Sequence, residues 1–328
     1  MKAIYIREFG GPENLELRDL PDPARPTGSQ VLVRVRASAL NRADLLQRLG
    51  KYPPPPGCSP NIPGLEFAGE IDETGDGASR FKKGDRVFAI TAGEAQAEYV
   101  LVDERVLAPV PENLSFIQAA AVPEAFITAH DAIFSLANLR AGESILIHAV
   151  GSGVGLAGLQ LARAKGAAVI GTSRTAEKLD RCRLEFGLDH AIATPEPVFA
   201  ETVLELTGGR GVDVVFDLVG GAYFKEDLAS LATRGRLVMI STASGAKAEI
   251  DLGVTLFKRL TIIGTVLRSR PLDEKIEVNR RFIDDVLPLL ASGAVRPVVD
   301  RIYPAAEIRA AHEYMQSNKS FGKIVIEF

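Results

Sequence analysis

The segment SILIHAVGSGVGLAGLQLARAKGA, Ser144 to Ala167, decides the fold. Ser144 to Val150 is an apolar run of strand length, and Gly155 to Lys165 has helical character. Between them Gly153-Val154-Gly155-Leu156-Ala157-Gly158 spells G-x-G-x-x-G. Alone that pattern arises by chance in any glycine-rich chain. Placed after a strand and opening a helix, it predicts a dinucleotide pyrophosphate site. Gly153 is expected to permit the tight turn, Gly155 to let the backbone approach the pyrophosphate, and Gly158 to allow close helix–strand contact. The free N–H groups and dipole of the helix then favour the phosphates. Ser144 to Ala162 contains no Asp, Glu, Lys or Arg, close to a membrane-spanning length. Four glycines and the polar Ser144, His148, Ser152 and Gln160 interrupt it, so a buried strand, a turn and a buried helix explain it better.

The same alternation continues outward. Ala168–Ser173, Val212–Val219, Arg236–Ser241 and Leu260–Val266 read as strands, with a helix over Thr175–Phe186. Their apolar character along the whole run suits a parallel sheet covered on both faces, hence a doubly wound α/β arrangement. The N-terminal third reads differently. Val31, Val33 and Val35 alternate with Leu32, Arg34 and Arg36, and Gly64–Ile71 and Asp85–Ile90 are short strand candidates. Pro53–Pro56 must be extended. Near the C-terminus a helix is expected over Glu274–Ala291, with Pro288 kinking or ending it, then a helix near Glu307–Met315 and a strand over Lys323–Phe328. That closing strand is expected to return and pair with the first domain.

Length and composition bound the function. At about 150 residues per domain, 328 residues suggest two domains. The chain is 46% hydrophobic and 24% charged, and 38 Lys+Arg against 42 Asp+Glu leave a net charge of -4. No basic field is available for nonspecific nucleic-acid or lipid binding. Cys58 and Cys182 are too few for a four-thiolate zinc site or a disulfide framework. The N-terminus carries no signal-peptide core, so a reducing, cytoplasmic setting is expected.

The second strand of the nucleotide unit selects the cofactor. An NAD site would place Asp or Glu near its end. Here it ends Gly171-Thr172-Ser173-Arg174, with Lys178 four residues on. Spacing of i, i+4 puts Arg174 and Lys178 on one helical face, where both can meet a 2′-phosphate, and predicts NADPH. The alternative is an ordinary solvated helix start.

The segments NRADLLQRLGKYPPPPG, AAVPEAFITAH, RAGESILIHAVGSGVGLAGLQLARAKGA, VLRSR and DRIYPAAEIRAAHEYMQSNKSFGKIVIE together resemble the zinc-independent quinone oxidoreductases of the medium-chain dehydrogenase/reductase superfamily. The zeta-crystallin-like group is meant, closest to its tumour-suppressor-inducible branch, and the resemblance runs essentially the whole chain. It implies a GroES-like β-rich catalytic domain from residues 1–118 and 264–328, with a Rossmann NADPH-binding domain, 119–263, inserted between. A cleft active site and a homodimer or dimer of dimers are also implied.

The resemblance assigns Asn41 and Tyr52 to the substrate pocket. A turn-capping Asn41 and a merely packing Tyr52 are the plainer alternatives. Thr128 is placed near the nicotinamide, Ser152, Gly153, Val154 and Gly155 at the pyrophosphate, and Ser173 with Lys178 at the 2′-phosphate. Leu267 and Asn318 are weaker cofactor contacts. Where relatives carry a cofactor-touching tyrosine after the third Rossmann strand, this chain has Thr194. Where alcohol dehydrogenases have a cysteine ligand it has Asn41, and where they have Gly-His-Glu it has Gly64-Leu65-Glu66. Leucine cannot ligate a metal and no other His/Cys cluster remains, so no metal is expected. Alcohol oxidation needs a Lewis acid; hydride delivery to an already electrophilic quinone does not. His148, within an apolar strand, reads as a core histidine, and both cysteines as unremarkable thiols.

Quinone reduction with NADPH is therefore the leading expectation. Enone or enoyl-thioester reduction is a rival on the same scaffold, with Arg42, Arg268 and Arg270 as possible charges at a basic mouth. An NADPH-binding structural or RNA-binding role is a rival of another class, disfavoured by the pI of about 5.7.

Overall fold

Val31, Val33 and Val35 are at most 2% exposed, while Arg34 and Arg36 face water, as their alternation predicts. They belong to the third of fifteen strands in a computed structural model that describes all 328 residues. In chain order these are β1 (Lys2–Ile6), β2 (Leu15–Asp19), β3 (Gln30–Ala39), β4 (Glu66–Thr74) and β5 (Arg86–Ile90). Then come β6 (Tyr99–Asp103), β7 (Ala108–Pro109), β8 (Ser144–Ile147), β9 (Ala168–Ser173) and β10 (His190–Ala193). The last five are β11 (Val212–Asp217), β12 (Leu231–Met239), β13 (Thr261–Gly264), β14 (Val299–Pro304) and β15 (Lys323–Glu327). The chain forms two compact units, Met1–Ile127 with Leu267–Phe328, and Thr128–Val266.

The first unit carries a mixed seven-stranded sheet in the order β14-β15-β3-β4-β5-β7, with β6 also pairing β3, and a two-stranded β1-β2 sheet. β15 runs antiparallel to β3, with Val325 opposite Ala39. Residues some 285 positions apart thus share one sheet. The expected helix over Glu274–Ala291 is two, Leu272–Asp285 and Leu287–Ala291. Pro288, at the start of the second, has no N–H to continue the first. Phe282, Val286 and Leu290 still form one buried face across the break.

The second unit carries six parallel strands in the order β10-β9-β8-β11-β12-β13. The chain leaves β8 for β9 and β10, then returns to β11 on β8's other side. That reversal puts a topological switch point at the carboxyl end of β8, where the glycine turn lies. The interior strands are buried along their length, and Leu146, Ile170, Val215 and Leu237 pack with Phe199, Val203 and Leu228. Just N-terminal to this sheet, Pro123–Ile127 and Asp131–Leu136 are π-helical on either side of an α-turn. Such widened turns are rare and gather at functional sites. No helix is long and apolar enough to cross a membrane.

Candidate active site

After β8 the chain turns sharply, with Ala149 in the left-handed region (φ 46°). Ser152, in extended conformation, caps the helix Gly153–Ala164, its Oγ accepting the Gly155 N–H at 3.1 Å. The N–H groups of Gly153 and Val154, in the partly exposed first turn, have no intrahelical acceptor. Donors left free in this way at a helix start suit an anion. A Cβ on Gly155 would lie 2.5 Å from the Ala149 carbonyl oxygen and 2.8 Å from Val150 Cα. The strand end behind it therefore requires a glycine here, a demand its spacing alone did not reveal. Gly158 behaves as expected: a Cβ there would sit 3.2 Å from Ile133 and 3.3 Å from Phe216.

Ser173 closes β9, buried, its Oγ accepting the Thr175 N–H. The following helix is Ala176–Phe186 with an extended Thr175 as N-cap. Arg174 therefore precedes the helix, and the i, i+4 argument for pairing it with Lys178 does not hold. The two residues instead flank a helix N-terminus, Arg174 exposed and Lys178 half-buried. Thr128 Oγ1 is buried with no hydrogen-bond partner, as a donor reserved for a bound group would be. The free N–H groups, the glycine cradle and this orphaned hydroxyl together fit a dinucleotide. Thr194 is buried and accepts the Tyr223 hydroxyl at 3.0 Å.

His148 is fully buried, with Nδ1 2.8 Å from Thr172 Oγ1 and Nε2 2.6 Å from Asp227 Oδ1. Its ring packs against Phe199 and Tyr223. Both nitrogens are satisfied, in keeping with a core histidine. Asp217 completes a group of three possible metal ligands with His148 and Asp227, but its carboxylate accepts the N–H groups of Val219 and Gly220. Burial pushes the Cys182 thiol up to about 12 and raises that of Cys58, which keeps both unreactive.

In the first unit, Asn41 caps the helix Arg42–Arg48, its N–H donating to Asp44 Oδ2 at 2.7 Å. Its side chain does more than cap. Asn41 Nδ2 donates to Glu66 Oε1 at 2.8 Å, and its Oδ1 accepts Lys323 Nζ at 2.5 Å. Lys323 Nζ also donates to Glu66 Oε1 at 2.6 Å and to the Leu40 carbonyl at 3.0 Å. Glu66 Oε2 accepts the Glu124 N–H at 2.8 Å. Glu66 and Asp44 are fully buried, Lys323 is 5% and Asn41 9% exposed. Leu65, next to Glu66 in the chain, is 2% exposed. An ammonium thus already occupies the oxygens that Asn41 and Glu66 present.

Asp44 also accepts the Gly64 N–H, yet burial pushes its carboxyl up to about 6. Glu124 is pushed further, to about 8, by burial first and then by the Glu66 charge, against the pull of Lys323 and Arg268. The ordinary value is 4.5, so between that and about 8 the folded chain keeps a proton the unfolded chain releases. The resulting stability is complete below the lower limit and is lost as pH rises through the upper one. Melting curves between about pH 5 and pH 9 should accordingly show Glu124→Gln gaining on the wild type as pH rises; parallel curves would rule this out.

Tyr52 is half-buried, its ring under the Arg268 guanidinium at 4.9 Å. Arg268 donates to the carbonyls of Ala92 and Tyr52 and to Gln47 Oε1. At 4% exposure it is an internal strut and not a surface charge at a basic mouth. Arg42 donates to Asn318 Oδ1 at 2.6 Å, and Leu267 lines a small apolar cavity with Ile90, Val106 and Ile127. Asn41, Tyr52, Leu267 and Asn318 thus fall in the first unit, and the remaining predicted residues in the second. Sequence reasoning missed Lys323, Glu124 and the internal role of Arg268. The available signal for Lys323 was a lysine opening a closing strand whose next three residues are apolar.

A parallel sheet with a glycine cradle at its switch point, joined in one chain to a mixed sheet with a buried polar cluster, defines a dinucleotide-dependent oxidoreductase. The alcohol dehydrogenase GroES-like domain family matches residues 27–112 and the zinc-binding dehydrogenase family residues 153–284. The chain is 35% identical to a quinone oxidoreductase of Rattus norvegicus over 99% of this chain and 97% of that one. Among solved structures, a mycobacterial protein complexed with NADPH superposes with a TM-score of 0.90 at 30% identity, covering 100% of both chains. The JamJ enoyl reductase gives 0.89 at 29% identity, over 99% and 98%. The chain belongs to the quinone oxidoreductase group of the medium-chain dehydrogenase/reductase superfamily. It is an oxidoreductase that uses a nicotinamide cofactor and a small-molecule substrate.

Proposed function

We propose that the enzyme reduces quinones with NADPH and without a metal. The observation that carries this reading is the Asn41–Glu66–Lys323 cluster. Its oxygens are bound to an internal ammonium and its neighbour is Leu65, so the donor set suits an acceptor that needs no Lewis acid. NADPH, when bound, supplies the hydride. Gly153 and Val154 N–H groups and the Ser152–Gly155 turn hold the pyrophosphate. Ser173, Arg174 and Lys178 hold the 2′-phosphate, and Thr128 Oγ1 donates to the nicotinamide end. Leu267 and Asn318 are further cofactor contacts in this reading. Tyr52 stacks on the flat acceptor, its ring kept in place by Arg268, while Asn41 holds Lys323 and Glu66 in position. The mycobacterial NADPH complex supports the choice of cofactor.

Reduction of activated alkenes, including enoyl thioesters, is the second reading, favoured by the likeness to an enoyl reductase. NADPH consumption with a naphthoquinone, an alkenal and a crotonyl thioester in parallel separates the two. Faster turnover of the thioester would overturn the first. Replacing Arg174 and Lys178 together by Ala should raise the NADPH KM about 10- to 100-fold, the scale of two lost charge-assisted contacts, with NADH nearly unaffected. An unchanged preference for NADPH would show that the phosphate is held elsewhere.

We also propose a homo-oligomer. Ile250, Leu252, Leu256 and Phe257 are exposed near the edge strand β13, Phe257 at 82%. Such a strip beside an open sheet edge suits a second copy, which light scattering would detect as a doubled mass.

A further inference from the structure

Glu66 and Glu124 share one buried cluster but are held in different ways. Both oxygens of Glu66 are spent, Oε1 on Asn41 and Lys323 and Oε2 on the Glu124 N–H. That carboxylate is locked. Glu124 is tied down only through its backbone, on the π-helical turn Pro123–Ile127, and is half-buried. The charges acting on its carboxyl are Glu66 and Asp44, which favour its protonated form, and Lys323 and Arg268, which oppose it. Tyr52, the ring assigned above to the acceptor, feels the Glu124 charge in turn, and both residues feel that of Arg268. From the helix Leu272–Asp285, Lys275 faces Cys58 and Arg268.

The cluster therefore holds three carboxyl groups against two cations, Lys323 and Arg268. Three negative charges beside two positive ones cannot be buried cheaply, and a proton on one carboxyl removes the excess. Glu66 is committed as an acceptor three times and Asp44 twice. Glu124, with its carboxyl uncommitted, is the group left to carry the proton.

We propose that Glu124 is the proton donor of the reaction, handing the proton of its carboxylic acid to the oxygen of the reduced acceptor. This rests on the reading of the substrate as a quinone. The hydride brings two electrons and one hydrogen, converting the quinone to a hydroquinone monoanion. The Glu124 O–H bond then breaks as the proton passes to the anionic oxygen, leaving the neutral hydroquinone and a carboxylate. Solvent returns a proton to Glu124, so one quinone, one NADPH and one proton give one hydroquinone and NADP⁺. Protonated near neutral pH, the acid is matched to a phenolate of higher pKa.

Steady-state rates with NADPH and a naphthoquinone would be compared for wild type, Glu124→Gln and Glu124→Asp between about pH 6 and pH 9.5, beside NADPH binding followed by fluorescence. Glu124→Gln is expected to lose about 100-fold in kcat, keep its affinity for NADPH, and lose the alkaline fall near pH 8 seen in the wild type. Glu124→Asp should recover part of the rate. An infrared carboxylic-acid band that titrates near pH 8 and vanishes in Glu124→Gln would report the proton without any turnover. A Gln variant within about threefold of wild type, or with the same alkaline limb, overturns the role, as does a missing band at neutral pH. Absence of quinone turnover by the wild type overturns the acceptor assignment, and this role with it; the variant's rate and the band test the role alone.

Discussion

Lys323→Met is expected to cost about 3–5 kcal/mol of unfolding free energy, measured by urea denaturation. The methionine keeps most of the volume but withdraws three donated hydrogen bonds, to Leu40, Asn41 and Glu66. Glu66 is fully buried and keeps only the Asn41 amide and the Glu124 N–H as donors. Stranding a buried charge is what makes such a loss large, since the intact pair itself is close to neutral against an apolar replacement. The double variant Lys323→Met, Glu66→Gln should therefore be more stable than Lys323→Met alone. A single-variant loss under about 1 kcal/mol, or additive losses in the double variant, would show that water reaches Glu66.

Gly155→Val should abolish cofactor binding, weakening NADPH by at least about 100-fold in a fluorescence titration, because the helix start must move bodily to admit the side chain. A Cβ at 155 would press on the Ala149 carbonyl at 2.5 Å and on Val150 Cα and O at 2.8 Å, all backbone atoms with no rotamer to yield. Ala149 is already in a left-handed conformation and cannot absorb the shift cheaply. Moving the first turn also breaks the Ser152 Oγ to Gly155 N–H contact that shapes it. The unit should still fold, since the six strands pack elsewhere. Retained NADPH affinity in the valine variant would mean that the phosphates are bound away from this turn.

The parallel sheet was legible because its information is local. An apolar run, three spaced glycines and a following helix occupy one short segment, and the unbroken apolar strands announce a sheet covered on both faces. Pro288 likewise declared the end of a helix by itself. Part of what the glycines do was less legible, because only coordinates reveal that the strand end behind Gly155 also forbids a side chain there. The shared helical face argued for Arg174 and Lys178 failed for a related reason: their spacing is helical only if the helix includes both, and Thr175 starts it later. The polar cluster was the least visible. Asn41 and Glu66 lie 25 residues apart, but their cation stands 257 residues beyond Glu66. No periodicity links positions that far apart. Arg268 misled in the opposite sense, since a guanidinium looks like surface until its acceptors Ala92, Tyr52 and Gln47 are seen around it.

The closing strand has a consequence for how the protein comes into being. The nucleotide unit is one continuous segment, Thr128–Val266, while the other unit is split around it. During synthesis the nucleotide unit has all its strands once residue 266 has emerged, and nothing prevents it from folding then. The N-terminal segment must wait longer. Its β3 edge lacks β15, and Glu66 has no Lys323 beside it, until residues 323–327 are made. The loop that this pairing closes contains the entire nucleotide unit, and folding that unit first shortens the effective distance between the two ends of the loop. A growing chain should thus be able to bind its nicotinamide cofactor before the Glu66–Lys323 cluster is complete, which lets the cofactor act as a scaffold for the enzyme's own maturation.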